Sequence, residues 1–261
     1  MDQAKYEQEI LLLALNAGRI LLENGAEVTR VEDTVLRICR HYGLKSASSF
    51  VLSNGIFLTS GSEEETQFAK VQQIPVNAAN LSRVAEVNQL SRQISAGGCT
   101  LEEARAALER IDRSPGFSWQ AQAIAAGIAG GCFSVMFGGH LRDFFCALAI
   151  GFLLQLFMLK LGKPYFSKIV RNILGSALVT LLSIFCYRLG LGSRLEALMT
   201  GGIILLVPGL AFTNGIRDIA AGDYISGSVR MMDAILVFFS IALGVGFIIA
   251  LANQVIGGIQ L

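Results

Sequence analysis

The sequence predicts an α-helical integral membrane protein in which five transmembrane helices follow a small cytoplasmic α+β domain with a β-hairpin. Three observations carry that reading. The 261 residues (28.0 kDa) are 53% hydrophobic and 16% charged, with a mean hydropathy of +0.56, too apolar for a soluble domain of this size. Charge is unevenly spread, with 12 basic and 15 acidic side chains in residues 1–113 against 9 and 5 in residues 114–261. The spacing of apolar residues also changes along the chain, from helical to alternating to long unbroken runs.

Ile10, Leu13, Ala14, Ala17 and Leu21 recur at the spacing of one helix face, and Asn24-Gly25 ends that helix. A second helix carries Val28, Val31, Val35, Ile38 and Tyr42 on its apolar stripe, with Gly43 as its terminator. The period then becomes two. Residues 49–53 and 56–60 flank Asn54-Gly55, a dipeptide that tolerates the positive φ angles of a tight hairpin turn. A third strand is expected over residues 66–74, stopping at Pro75. Val84, Val87, Leu90 and Ile94 outline a further helix closed by Gly97-Gly98. Thr100 and Glu103 form a capping box for a last helix, whose face is Leu101, Ala104, Leu108 and Ile111. Pro115-Gly116 marks the boundary between a domain of residues 1–115 and a membrane domain of residues 116–261.

A spanning helix needs about 20 mostly apolar residues, because ~30 Å of hydrocarbon is crossed at ~1.5 Å per residue. Five segments qualify: 119–137, 144–161, 169–187, 198–214 and 232–256. The first twenty residues, with Lys5, Glu7, Glu9 and Arg19, are not a signal peptide, so the N-terminal part is expected in the cytoplasm. The positive-inside rule agrees. An N-in arrangement places Arg110, Arg113, Lys160, Lys163, Lys168, Arg171, Arg217 and Arg230 inside, against Arg142, Arg188 and Arg194 outside. Five spans then leave the C-terminus outside.

Several function classes drop out on composition. With 21 basic and 20 acidic residues, the net charge of +1 gives no phosphate-neutralising surface and no case for nucleic acid. Cys39, Cys99, Cys132, Cys146 and Cys186 are an odd set without C-x-x-C, so neither a disulfide framework nor a zinc site is expected. They read as small buried residues, and no metal or cofactor is implied. No Walker-type nucleotide motif and no serine-hydrolase elbow occurs. His140, Arg142 and Asp143 read as a solvated loop. Ala123, Gly127 and Gly131 form a small-xxx-small stripe suited to close helix packing, with a neighbour in its own chain or another.

The informative stretch runs from Thr200 to Arg230. Pro208 lacks an N–H, its ring collides with the Ile204 carbonyl, and Gly209 adds freedom, so the fourth span is expected to break there. Such breaks either hold substrate or ion at the midplane or are plain kinks absorbed by neighbouring helices. Beyond the break Thr213 and Arg217 share one helix face, and Asn214 and Asp218 the adjacent one. Arg217 offers a planar fork to a carboxylate, Thr213 and Asn214 suit a polar head group, and Asp218 suits a coupling proton. An interfacial Arg217/Asp218 anchor is the alternative. Asp223 reads equally as the N-cap of the fifth helix, and Ser226 and Arg230 repeat the one-turn spacing.

The stretch from Gly25 to Ile38 (GAEVTRVEDTVLRI), the Ser53-Asn-Gly-Ile56 turn and the Pro208-Gly…Thr213-Asn…Arg217-Asp218…Gly222-Asp-Tyr…Ser226-Gly…Arg230 signature together resemble the threonine/serine exporter family. The resemblance covers nearly the whole chain. It implies an inner-membrane exporter of small hydrophilic metabolites, and it carries over Glu27, Arg30, Glu32 and Asp33 with Pro208, Thr213, Asn214, Arg217, Asp218, Asp223, Ser226 and Arg230. Within the family the chain looks like the five-span subunit of the split form, whose partner is a short four-span protein and whose members are associated with succinate as well as hydroxy amino acids.

On the second helix Glu27, Arg30, Glu32 and Asp33 lie beside the apolar stripe, and Glu27 with Arg30 has the spacing of a pair. They are either ordinary surface charge or a face that docks on residues 218–230 or on the partner chain. The leading function is a secondary transporter subunit exporting small carboxylates, threonine/serine or succinate-like, without enzymatic activity. The alternatives are a membrane-anchored enzyme and a regulatory or assembly subunit whose partner forms the conduit; self-association stays open.

Overall fold

The computed structural model describes residues 3–61, 66–74, 79–161 and 166–256. The chain divides into two compact units, Met1–Gly116 with Leu210–Met231 and Phe117–Gly209 with Met232–Leu261.

In the first unit α1 (Gln3–Glu23) is central. It contacts α2 (Val28–His41), the second strand of the sheet, α3 (Leu81–Ser95) and α4 (Leu101–Arg113). Its burial therefore extends beyond the one face expected: Leu11, Leu15, Ile20 and Leu22 are as inaccessible as Ile10, Leu13 and Leu21. Near its end Arg19 is paired with Glu23 at 3.0 Å and with Asp112 of α4 at 2.6 Å. Burial opposes the Arg19 charge, but these carboxylates outweigh it and hold the guanidinium pKa above its ordinary value. The expected stripe of α2 is buried at Val28, Val31, Val35 and Ile38, while Tyr42 is its half-buried C-cap.

β1 (Ser48–Leu52), β2 (Gly55–Gly61) and β3 (Thr66–Gln73) form an antiparallel sheet in that order. The hairpin is present, but its turn is Ser53-Asn54, one residue earlier than expected, because Leu52 pairs with Gly55. Gly55 does not adopt a positive φ, and neither does any non-glycine among the described residues. The third strand accounts for the shift: Gly55 is also paired with Gln73, which makes it a rung of the sheet. Pro75 lies outside the described residues. Val51, Ile56 and Leu58 face the core, whereas Phe50, Phe57 and Val71 point outward. The α4 capping box is formed, Thr100 N–H donating to Glu103 Oε2 at 2.9 Å and Glu103 N–H to Thr100 Oγ1 at 3.3 Å. These bonds favour the charged form of Glu103 and hold its carboxyl below the usual range.

The second unit contains α5 (Trp119–Met136), α6 (Leu141–Leu161), α7 (Lys168–Arg188), α8 (Leu195–Ile203) and the greater part of α10, whose full range is Tyr224–Ile256. The small-residue stripe of α5 packs on α6 of the same chain. A Cβ at Gly127 would lie 2.9 Å from the Leu148 carbonyl oxygen, and one at Gly131 3.0 Å from that of Phe144. Asp143 corrects the expectation of a solvated loop, since it is fully buried and accepts from the backbone N–H groups of His140 (2.8 Å), Ser193 (2.6 Å) and Arg194 (3.1 Å). Its carboxylate thereby pins the start of α6 to the α7–α8 connection. Cys132 is exposed rather than buried.

Among the described residues, α6, α7 and residues 224–254 of α10 are long and apolar enough to cross a membrane, and residues 195–220 give a fourth crossing if the bent pair is one span. The chain is thus a multi-pass membrane protein. α5, the first of the five expected spans, is not among these; Gln120, Gln122 and three glycines dilute its apolarity.

Candidate functional site

Pro208 interrupts the span as its chemistry requires. α8 ends at Ile203, a 3-10 turn covers Ile204–Leu206, and Val207 is extended, as a residue before proline is pushed to be (φ −64°, ψ 128°). The chain resumes as α9 (Gly209–Ala220). This restart separates the polar side chains by face. Asn214 and Asp218 are buried, at 6% and 1% exposure, whereas Thr213 and Arg217 are exposed and the Thr213 hydroxyl bonds back to the Leu210 carbonyl at 3.1 Å.

Gly222, at φ 91°, closes α9, with Asp223 N–H donating to Asp218 O at 2.9 Å. Asp223 then accepts from Ser226 N–H at 3.1 Å, the bond of an N-cap at the start of α10. Gly227 permits the two helices to meet, since a Cβ there would lie 2.9 Å from the Gly215 carbonyl oxygen. Ser226 is fully buried in this hairpin, and its hydroxyl has no hydrogen-bond partner among the described residues.

The partners of the hairpin lie in the α1–α2 turn of the same unit. Asn214 Nδ2 donates to Gly25 O at 3.0 Å, and Arg230 Nη2 donates to Ala26 O at 3.0 Å. Arg217 pairs with Glu27. Asp218 lies 3.3 Å from Arg230 Nη1, with its carboxylate near the Val28 N–H at the start of α2. Gly25 has φ 87°, and a side chain there would meet Ala79 and Leu210 at about 3 Å, so both conformation and space require glycine.

Two electrostatic consequences follow. Glu27 is the N-cap of α2 yet makes no side-chain capping bond, so the anion at this helix start is Asp218 from a distant segment. The Asp218–Arg230 pair is also well shielded, with side chains 1% and 13% exposed, so removing either member strands the other charge.

The α2 residues divide. Glu27 reaches Arg217 rather than Arg30. Arg30 and Asp33 are exposed, Asp33 pairing with Arg37. Glu32 is half-buried, and burial, reinforced by the Asp223 charge, pushes its carboxyl above the usual range. Sequence reasoning missed Asp143, for which a solvated loop and a buried clamp look alike. It also missed a buried polar stripe on α7, Asn172, Ser176, Thr180 and Ser183, whose one-turn spacing was the available signal. Among the described residues, no three His, Cys, Asp or Glu side chains gather as a metal site.

No solved structure matches the chain. The "Probable threonine/serine exporter" of Mycobacterium tuberculosis is 24% identical over 98% of this chain and 48% of its own length. The "Threonine/serine exporter" of Corynebacterium glutamicum is 26% identical over 94% and 51%. The chain therefore spans about half the length of these relatives. The "Probable succinate transporter subunit YjjP" of Escherichia coli is 24% identical over 95% of this chain and 96% of its own length. These relatives are named as transporters, and none as an enzyme. The model of the family described as "Putative threonine/serine exporter" matches residues 12–252, nearly the whole chain and all of the interrupted span and the turn receiving it, and the chain belongs to that family.

Proposed function

We propose that this chain is a subunit of a secondary transporter that exports small hydrophilic carboxylates, threonine/serine-like or succinate-like, across the bacterial inner membrane. The observation that supports it most is the convergence of Asn214, Arg217 and Arg230, in the hairpin that follows the proline break, on residues 25–27, with Asp218 paired to Arg230 beside them. Arg217 is already held by a carboxylate, that of Glu27, and a substrate carboxylate presents the same acceptor geometry. Exchange of Glu27 for substrate releases the hairpin from the α1–α2 turn and so couples binding to movement. Asp218, facing Arg230, is the carrier of the coupling proton, and Thr213, Asn214 and Ser226 supply hydroxyl and amide contacts to the head group. Asp223 shapes the hairpin, and Glu27, Arg30, Glu32 and Asp33 form the docking face.

In this reading α5 is the first of five spans, residues 1–115 lie in the cytoplasm with the N-terminus, residues 116–261 form the membrane domain and the C-terminus is outside. Transport requires a short four-span partner, which accords with relatives about twice as long and with a full-length relative named a subunit. Those lengths also favour a second reading, in which the partner forms the conduit and this chain regulates or assembles it. Proteoliposomes holding the chain alone, the partner alone or both decide the matter. Efflux of labelled threonine or succinate is expected only with both. Efflux from the chain alone discards the need for a partner, efflux from the partner alone favours the second reading, and efflux from none of them discards the transporter.

A further inference from the structure

A groove of about 400 Å³ lies on the first unit between α2 and α3, lined by residues of both helices and by Glu27. Its volume falls within the range of small-molecule sites, usually 300 to 1,000 Å³ on the order-of-magnitude scale of such pockets. Every lining side chain is polar or charged, so its occupant is hydrophilic.

Three of these side chains are arginines, Arg30, Arg37 and Arg92, and two are acids, Glu27 and Asp33. Glu27 is taken by Arg217, and Asp33 pairs with Arg37. Arg30 on α2 and Arg92 on α3 have no ion pair among the described residues. Two uncompensated guanidiniums, one from each wall, favour a carboxylate, which takes the planar fork of arginine donors. The Asp33–Arg37 pair is exposed and spaced i,i+4, the kind that contributes little and exchanges easily, so Asp33 remains able to receive a cation. Both signs inside one polar groove, with Asn88 and Thr29 to bond a hydroxyl, match a molecule carrying both charges better than a dianion.

We propose that this groove binds a small zwitterionic amino acid, its carboxylate at Arg30 and Arg92 and its ammonium at Asp33. The site shares Glu27, Arg30 and Asp33 with the docking face and is separate from the substrate contacts on α9 and α10. It rests on the transporter reading only for the choice of probe, and it gives that reading a sensing role: Glu27 lines one end of the groove and also holds Arg217, so an occupant changes the field at the residue that retains the hairpin.

Calorimetric titration of the purified full chain with L-threonine, succinate and inorganic phosphate tests the assignment. L-Threonine binding is expected to weaken about tenfold or more in Arg92→Ala and in Asp33→Asn, and to be unchanged in Arg105→Ala, an exposed arginine on α4. Arg92 is itself exposed, so its loss leaves the fold intact. Wild-type affinity in Arg92→Ala overturns the site, as does no L-threonine binding by the wild type. Tighter succinate or phosphate binding that depends on Arg92 overturns the zwitterion in favour of a simple anion. Arg92-dependent binding by a chain that exports nothing with its partner leaves the groove standing and removes the transporter; export without such binding does the reverse.

Discussion

Two helices of the first unit begin in opposite ways. α4 carries its own cap, Thr100 and Glu103 closing a reciprocal pair of bonds within four residues. α2 begins at Glu27, which makes no capping bond, and takes its anion from Asp218. The first solution is complete in the local sequence and cannot respond to anything outside it. The second is complete only while residues 210–231 are in place, so whatever moves that hairpin also takes the anion from α2 and breaks three polar contacts together. A helix start satisfied from afar is a joint, and this one joins the segment after the proline break to the face lined with Glu27, Arg30, Glu32 and Asp33.

The largest effect is expected where the joint is charged and shielded. Asp218→Asn keeps the shape of the side chain but leaves Arg230 without a counter-charge, costing on the order of 3–5 kcal/mol as for other broken buried pairs. Efflux should fall to background while the protein still accumulates in the membrane, measured against its immunodetected amount. Unchanged efflux of both threonine and succinate would remove Asp218 from the mechanism and reduce the joint to packing.

Substitution at the exposed end of the joint separates function from stability. Arg217 is 63% exposed, so its pair with Glu27 contributes at most about 1 kcal/mol. Arg217→Lys should therefore leave the melting temperature nearly unchanged yet depress efflux several-fold, because a point charge does not reproduce a two-pronged carboxylate contact. Full efflux in counterflow assays with both substrates would exclude direct substrate contact by Arg217.

Two further substitutions calibrate the local side. Arg19→Ala removes the pairs to Glu23 and Asp112 that tie α1 to α4, and a loss of about 1–3 kcal/mol in denaturant unfolding is expected. Thr100→Ala removes the α4 cap for about 1 kcal/mol, with efflux per folded molecule unaltered. A transport defect in Thr100→Ala would mean that local and distant caps are not separable.

The same contrast explains what was readable in advance. Helix starts and stops set by neighbours in sequence were legible: the Thr100 box, the Gly25, Gly43 and Gly97 terminators, the Pro208 break and the Asp223 cap all rest on residues within four positions. The hairpin turn slipped by one because Asn54-Gly55 was judged without the third strand that draws Gly55 into the sheet. The breadth of α1 burial and the clamp at Asp143 depend on elements far along the chain, and no local pattern encodes them. On α9 the two faces were legible from their spacing, Asn214 and Asp218 on the buried one and Thr213 and Arg217 on the exposed one. The acceptors of Asn214 and Arg230 were not, because the Gly25 and Ala26 carbonyls are backbone groups, identical at every position.

The smallest expected effect probes the rim of the joint, where Glu32 of α2 faces the Asp223 charge. Burial, then Asp223, raises the Glu32 carboxyl above its ordinary value of 4.5, so in the window just above that value the folded chain binds more protons than the unfolded one. Stability from this group is therefore present at acid pH and falls as pH rises through the window, the reverse of a salt-bridged carboxylate. Glu32→Gln removes the charge without changing the shape, so it should stabilise the chain at pH 7 by no more than about 0.5 kcal/mol and lose that advantage below the window. Thermal unfolding at both pH values measures the difference. A variant less stable than wild type at pH 7 would mean that Glu32 is held by an attraction, and that the rim of the joint closes by pairing, as its centre does at Asp218 and Arg230.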